Sequence, residues 1–303
     1  MNPYIFDAET NDPDDYLTLL LLLGHPQVDL KAVTITPGSR EQVSLVRQTL
    51  RICNREDVEV GANDINTSSS CVSAWHYKAY PNLVKGADDA PLGWEVLARH
   101  LKPGTTLVCG AALKNLGALL RNSGAPAASY GRVFIQGGFA GEGVVPRDQQ
   151  LEKFKGRVSQ PTFNLGGDPG SAELVIRSRP WFEDLRFVSK NVCHGVYYDS
   201  SMHEVFKGLG SSCSQSLALI REGMGYYLAK KPEGKKFHDP LAACCAIDPT
   251  IGDWAMVDLY REVGAWGGSW GSKLNPESGV RIIVGYNHDK FLQTLTAQHR
   301  TSS

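Results

Sequence analysis

The chain lacks a charge excess of either sign: 31 basic and 32 acidic residues leave a formal net charge of −1. General nucleic-acid and membrane-surface binders need surplus positive charge, so neither partner is expected. It also lacks a long apolar span. The run "LTLLLLLG" (17–24) is too short to cross a bilayer, and Gly24 and Pro26 interrupt it. The N-terminus has no basic start, and its apolar run follows an acidic cluster, so no signal peptide is expected. C-x-x-C spacing is missing as well. The seven cysteines (Cys53, Cys71, Cys109, Cys193, Cys213, Cys244 and Cys245) are odd in number, and several sit in apolar contexts such as "LAACCAI". Free buried thiols in a reducing cytoplasm are expected, not disulfides or a zinc site.

What is there is alternation. Strand-like runs "YIF" (4–6), "LKAVTIT" (30–36), "VEVGAN" (58–63), "TTLVCG" (105–110) and "RVFIQGG" (132–138) are separated by helical patterns at 13–23, 40–53, "GWEVLARHL" and "LKNLGALLRN". "DPGSAELVIRS" (168–178) opens a helix with an Asp cap. "DLRFVSKNVC" contains a strand, 214–230 and 239–247 read as helices, and "AMVDLYREV" and "VRIIVGYN" read as strands. Residues 63–92, 139–162 and 264–279 read as loops. Such alternation predicts one α/β domain over 1–303, a mostly parallel central sheet flanked by helices. No repeat or linker divides it. Ligands of such sheets bind outside the carboxyl ends of the strands.

The stretch "FDAETNDPDD" lies at such an end. Asp7, Glu9, Asp12, Asp14 and Asp15 crowd nine residues between an apolar strand and an apolar helix. Like charges this close repel, so something positive must offset them or some must stay protonated. One reading is an acidic turn whose Asp12, Asp14 and Asp15 favour a helix N-terminus. That leaves Asp7 and Glu9 unexplained. The other is a divalent-cation site with oxygen-only ligands, suited to Ca²⁺ or Mg²⁺.

Two further stretches join it. "KKFHDPLAACCAIDP" (235–249) sets His238 and Asp239 before Pro240 and an apolar helix, and "PTFNLGGDPGSAELV" (161–175) carries Asn164 and Asp168. Together with "CGAALKNLG" (109–117) and "IQGGFAGEG" (135–143), these resemble, in order and spacing, the inosine–uridine nucleoside hydrolase family over roughly residues 3–290. That family begins with D-x-D-x-x-x-D-D before a Leu-rich helix. Its H-D-P-L segment is matched letter for letter at 238–241.

The resemblance implies a nucleoside-hydrolase-like fold and Ca²⁺-dependent hydrolysis of the N-glycosidic bond of a ribonucleoside or 5′-substituted ribosyl compound. It implies metal ligation by Asp7, Glu9, Asp15, Asp239 and the carbonyl of Lys114. Asp14 and Asn164 would hold the ribose hydroxyls, and His238 would protonate the departing base. Ser39, His76, Thr162 and Trp266 would line the substrate. Relatives are commonly homodimers or homotetramers that act on small molecules in base salvage.

Departures are visible. One extra residue separates Asp7 from Asp14, and Glu9 stands where the family has Asp, so either Glu9 or Asp12 could be the water-activating base. Thr162 replaces a Glu that contacts the ribose 5′-hydroxyl. Its loss removes a repulsive element against a 5′-phosphate, and Lys153, Lys155 and Arg157 lie on the approach. Those charges read first as a solvated loop, as does "KKPEGKKF" (230–237). Trp266 and Trp270 could stack on a base or pack on the protein. The altered acidic run also motivates a second reading, a non-catalytic nucleoside- or ribosyl-binding protein. A phosphohydrolase using Lys190 would leave the H-D-P segment unexplained.

Overall fold

The computed structural model describes residues 1–210 and 213–297. Its strands in chain order are β1 (Asn2–Ala8), β2 (Val28–Ile35), β3 (Glu59–Ala62), β4 (Thr106–Cys109), β5 (Tyr130–Gln136), β6 (Ser159–Gln160), β7 (Phe182–Val188), β8 (Tyr197–Tyr198), β9 (Lys235–Lys236), β10 (Gly252–Glu262), β11 (Ser269–Leu274) and β12 (Val280–Tyr286). One ten-stranded sheet runs β3-β2-β1-β4-β5-β7-β12-β10-β11-β6, and β8 pairs with β9 separately. From β3 to β12 neighbouring strands are parallel. The pairs β12–β10, β10–β11 and β11–β6 are antiparallel.

Pleating divides the inner strands between two core layers. Tyr4 and Phe6 of β1 face one layer with Val108 and Phe134, whereas Ile5 faces the other with Leu107, Cys109, Val133 and Ile135. Both faces of these strands are covered, which explains their unbroken apolar runs.

The chain leaves β1 towards β2 on one side and later returns to β4 on the other. That reversal opens a crevice at the carboxyl ends of β1 and β4. The helix Pro13–Gly24 starts there with Pro13 in its first turn and Asp14 and Asp15 beside it. The helix His238–Ile247, buried from Asp239 to Ala246, aims its N-terminus at the same place.

The segments read as loops hold more structure than expected. Helix Ala74–Ala79 falls in 63–92, β6 in 139–162 and β11 in 264–279. In β11, "SWGSKL" hides its character because Gly and Ser are weak strand formers. Pairing to β10 and β6 supplies what local propensity lacks. All seven cysteines are unbridged, with Cys53, Cys71 and Cys213 only partly buried. Among the described residues no helix is long and apolar enough to cross a membrane.

Candidate active site

Asp14, Asp15 and Asp239 converge in the crevice, each offering a carboxylate oxygen within 4.8 Å of the others. With Glu9, Asn11, Asp12, Gly110, Gln136, Phe163, Asn164 and His238 they line a cavity of about 280 Å³. That is near the lower end for ligand clefts, and its polar walls suit a sugar.

Each carboxylate has a distinct environment. Asp14 Oδ2 accepts from the backbone N–H of His238 at 3.1 Å, capping a helix that has no side-chain cap of its own. Its Oδ1 lies 2.9 Å from Lys235 Nζ. Asp15 Oδ1 accepts from the Glu9 N–H at 3.0 Å. Asp239 Oδ1 is buried without a partner. Burial pushes Asp15 well above the usual carboxylate range, with Asp239 adding to the rise. Asp239 is raised in the same way by burial and then by Asp14. Lys235 is the one ammonium placed among these groups in the described residues, and it reaches Asp14 and Asp12 rather than Asp15 or Asp239. Oxygen-only donors carrying uncompensated negative charge fit a hard divalent cation, and Ca²⁺ accepts such flexible sets.

Asp7 does not join this group. It is fully buried beneath it, where Oδ1 accepts from Thr34 Oγ1 at 2.7 Å and Asn115 Nδ2 at 2.9 Å. Burial, partly offset by those bonds, pushes its pKa up to about 6. Its carboxylate holds β1 to β2 and to the helix Lys114–Ser123. Lys114 opens that helix, directly before Asn115. The backbone against the carboxylates is Gly110, where a Cβ would meet Asp15 Oδ1 at 3.0 Å and Asp239 Cγ at 3.1 Å.

Glu9 lines the cavity, accepts from Cys71 Sγ at 3.3 Å and is raised mainly by burial. Asp12 occupies a cap position without capping; its carboxylate is 2.9 Å from Lys235 Nζ and 54% exposed. The loop carrying the extra residue is pinned at Thr10, whose Oγ1 donates to the Cys71 carbonyl and accepts from Gln42 Nε2.

His76 supplies the third pin. Its Nε2 bonds the Thr10 carbonyl at 2.7 Å inside a cage of Tyr16, Trp75 and Tyr80, so it is a buried strut and not a substrate contact. Ser39 is likewise structural. Its hydroxyl caps the helix Arg40–Ile52 in a reciprocal box with Gln42 and donates to the Ser70 carbonyl. Thr162 is buried with Oγ1 unpartnered, one residue from the cavity-lining Phe163. The Trp266 side chain lies outside the described residues; Trp270 is a core residue of β11. Asp168 is a plain helix cap on Ser171.

Asn164 lines the cavity. Its Nδ2 donates to the Gly110 carbonyl at 2.9 Å and to Gln136 Oε1 at 2.8 Å, which leaves its Oδ1 for the cavity. His238 Nδ1 stands 3.9 Å from Asp14 Oδ2, and its Nε2 is buried without a partner. Burial, with Lys235 next, holds its pKa down to about 3. Burial thus disfavours the protonated ring, against the near-neutral value that suits a proton donor.

Several site groups escaped sequence reasoning. Gln136 ends β5 and Gly110 directly follows β4, where the strand-end rule could have found them. His194 stacks on His238 at 4.6 Å and 17°. Lys235 is 6% exposed on β9, not part of a solvated loop.

Residues 4–293 match the model of the inosine-uridine preferring nucleoside hydrolases. The chain belongs to that family. This nucleoside hydrolase is 26% identical to an uncharacterized protein of Aquifex aeolicus (strain VF5) over 92% of its own length and 93% of the relative's. It is 25% identical to the pyrimidine-specific ribonucleoside hydrolase RihA of Shewanella sp. (strain MR-7), over 86% and 84%. Its fold matches the plant nucleoside hydrolase PpNRh1 with a TM-score of 0.69 at 18% identity, covering 97% and 98% of the two chains. The family makes it an N-glycosyl hydrolase.

Proposed function

We propose that the chain cleaves the N-glycosidic bond of a ribonucleoside or 5′-substituted ribosyl compound with water, with Ca²⁺ held by Asp15 and Asp239 and flanked by Asp14 and Glu9. The observation that carries this reading is the meeting of three buried carboxylates within 4.8 Å, two of them without a counter-cation. Bound calcium would supply charge for the ribose diol and acidify a water.

The chain's own groups divide the remaining work. Glu9 takes the water proton: it is cavity-facing, raised by burial, and free of any ion pair among the described residues. Asp12 is less suited, because Lys235 neutralises it. The C1′–N bond breaks with its electron pair going to the base, and the water oxygen joins C1′. The developing oxocarbenium charge is stabilised by the surrounding carboxylates. Asn164 Oδ1 accepts from a ribose hydroxyl. His238 donates a hydrogen bond to the leaving base as a neutral imidazole.

Calcium dependence, self-association as a homodimer or homotetramer, cytoplasmic location and a salvage role rest on the family resemblance and belong to the same proposal. One assay tests the core of it. Protein with Ca²⁺ is incubated with nucleosides and ribosyl conjugates, and free base and reducing sugar are quantified beside Asp15→Ala and EDTA controls. Release that vanishes in both controls is expected. No release, with measurable nucleoside binding, would instead support the binding-protein reading, for which the Lys235–Asp14 pair is the motivating observation.

A further inference from the structure

Beside His194 and the His238 wall of the cavity lies positive charge that the hydrolytic reading does not use. Lys153, Lys190 and Lys236 come from three separate segments, and among the described residues none has a carboxylate within ion-pair distance. Lys155 does not belong with them, because it is spent on Glu152.

Each of the three is one link from a cavity-lining residue. Lys153 Nζ lies 3.0 Å from His194 Nδ1, and His194 stacks on His238. Lys190 Nζ donates to the Pro161 carbonyl at 2.7 Å, fixing the turn that brings Phe163 and Asn164 to the cavity. Lys236 is two residues before His238 on β9, whose pairing with β8 holds it in place. The ammonium groups are near enough to oppose one another: burial first, then Lys236 and Lys190, lower Lys153, and burial with Lys236 lowers Lys190.

Ammonium groups gathered without a carboxylate partner repel one another, and a bound anion relieves that repulsion. Two charged regions are then distinguished: the carboxylates at the reacting end, and the lysines beside His194 and His238. The turn carrying Thr162 meets the lysines at Pro161, whose carbonyl takes Lys190 Nζ, and Thr162 offers no carboxylate to repel an anion.

We propose that Lys153, Lys190 and Lys236 form a subsite for a phosphate on the ribose 5′ oxygen, so that the substrate is a 5′-phosphorylated ribosyl compound. This inference rests on the hydrolase reading above. Lysines serve phosphate as mobile point charges, which suits a flexible 5′ substituent. Binding energy from this non-reacting group would be available at the reacting centre.

The test uses calcium-loaded wild-type protein and two readouts. In calorimetry, ribose 5-phosphate should bind about ten- to a hundredfold more tightly than ribose, as charge-assisted contacts predict. In the release assay, kcat/KM should favour a nucleoside 5′-monophosphate over its nucleoside by a similar factor. The double variant Lys153→Gln/Lys190→Gln should shrink both ratios, with its fold checked by circular dichroism. Equal binding of ribose and ribose 5-phosphate by wild type would overturn the subsite. Absence of any release alongside tighter ribose 5-phosphate binding would instead sink the hydrolase reading and leave the subsite standing.

Discussion

Asp239 shows how one residue carries two opposed demands. It is 4% exposed, one of its oxygens has no partner, and it faces Asp14 and Asp15. Such a group destabilises the metal-free protein and stabilises the loaded one. Asp239→Asn removes a repelling charge, so the melting temperature in EDTA should rise by a few degrees, on the order of 1–2 kcal/mol. The same variant should lose the Ca²⁺-induced rise seen in wild type. Differential scanning fluorimetry with and without Ca²⁺ reads both effects, and a Ca²⁺ shift that survives would remove Asp239 from the ligand set.

His238 is tested by leaving-group chemistry. In the proposed reaction it stabilises a departing base through a ring N–H, so His238→Ala should slow release from natural nucleosides by about 10²-fold or more. p-Nitrophenyl riboside, whose leaving group needs no proton, should be affected far less. An equal loss on both substrates would make His238 a wall residue.

At the scale of elements, the site depends on close approach between the end of β4 and two helix N-termini. Gly110 is the contact point, since a Cβ there would sit 3.0 Å from Asp15 Oδ1. That distance is tolerable only if the carboxylate shifts. Gly110→Ala should therefore weaken Ca²⁺ binding by about tenfold, a change of roughly 1.4 kcal/mol, while the apo fold survives. Calorimetric Ca²⁺ titration measures it, and unchanged affinity would show that the cluster has slack. The turn after β5 makes a different demand. Gly138 has φ +77°, and its carbonyl accepts from Lys190 N–H, so the glycine lets the chain turn back towards the lysine-bearing segment.

The whole molecule should respond to acid through its buried imidazoles. His76 is fully buried, and burial lowers its pKa from 6.5 to about 4. Between those values the unfolded chain binds a proton that the folded chain refuses. Stability from this group is complete above pH 6.5 and is lost as pH falls towards 4, by about 3 kcal/mol in all. Urea unfolding at stepped pH should show the decline, and His76→Gln should flatten part of it. His238 and His194, lowered to about 3 and about 2, act in the same direction. An unchanged slope in the His76 variant would assign the acid sensitivity to them instead.

Local pattern was enough for most elements. The apolar runs of β1, β2, β4 and β5 and the cap at Asp168 need only their own residues to be recognised. The acidic run was legible too, because a strand end marks the binding edge of a parallel sheet; Asn164 and the H-D-P segment stand out only through the resemblance to the family. Residue type alone cannot tell which of several similar groups has a partner. Asp7 and Asp15 look alike in sequence, yet the first is tied through Oδ1 to Thr34 and Asn115 while the second faces Asp239. Lys235 and Lys231 share one basic stretch, yet strand pairing buries the first against Asp14 and leaves the second exposed. The long-range partners of Ser39 and His76, the Ser70 and Thr10 carbonyls, become apparent only when the chain folds back. The sequence by itself determined which chemistry the chain could attempt. Tertiary structure alone decided which carboxylates remain uncompensated, because charge compensation is set by distance and burial between segments far apart in the chain.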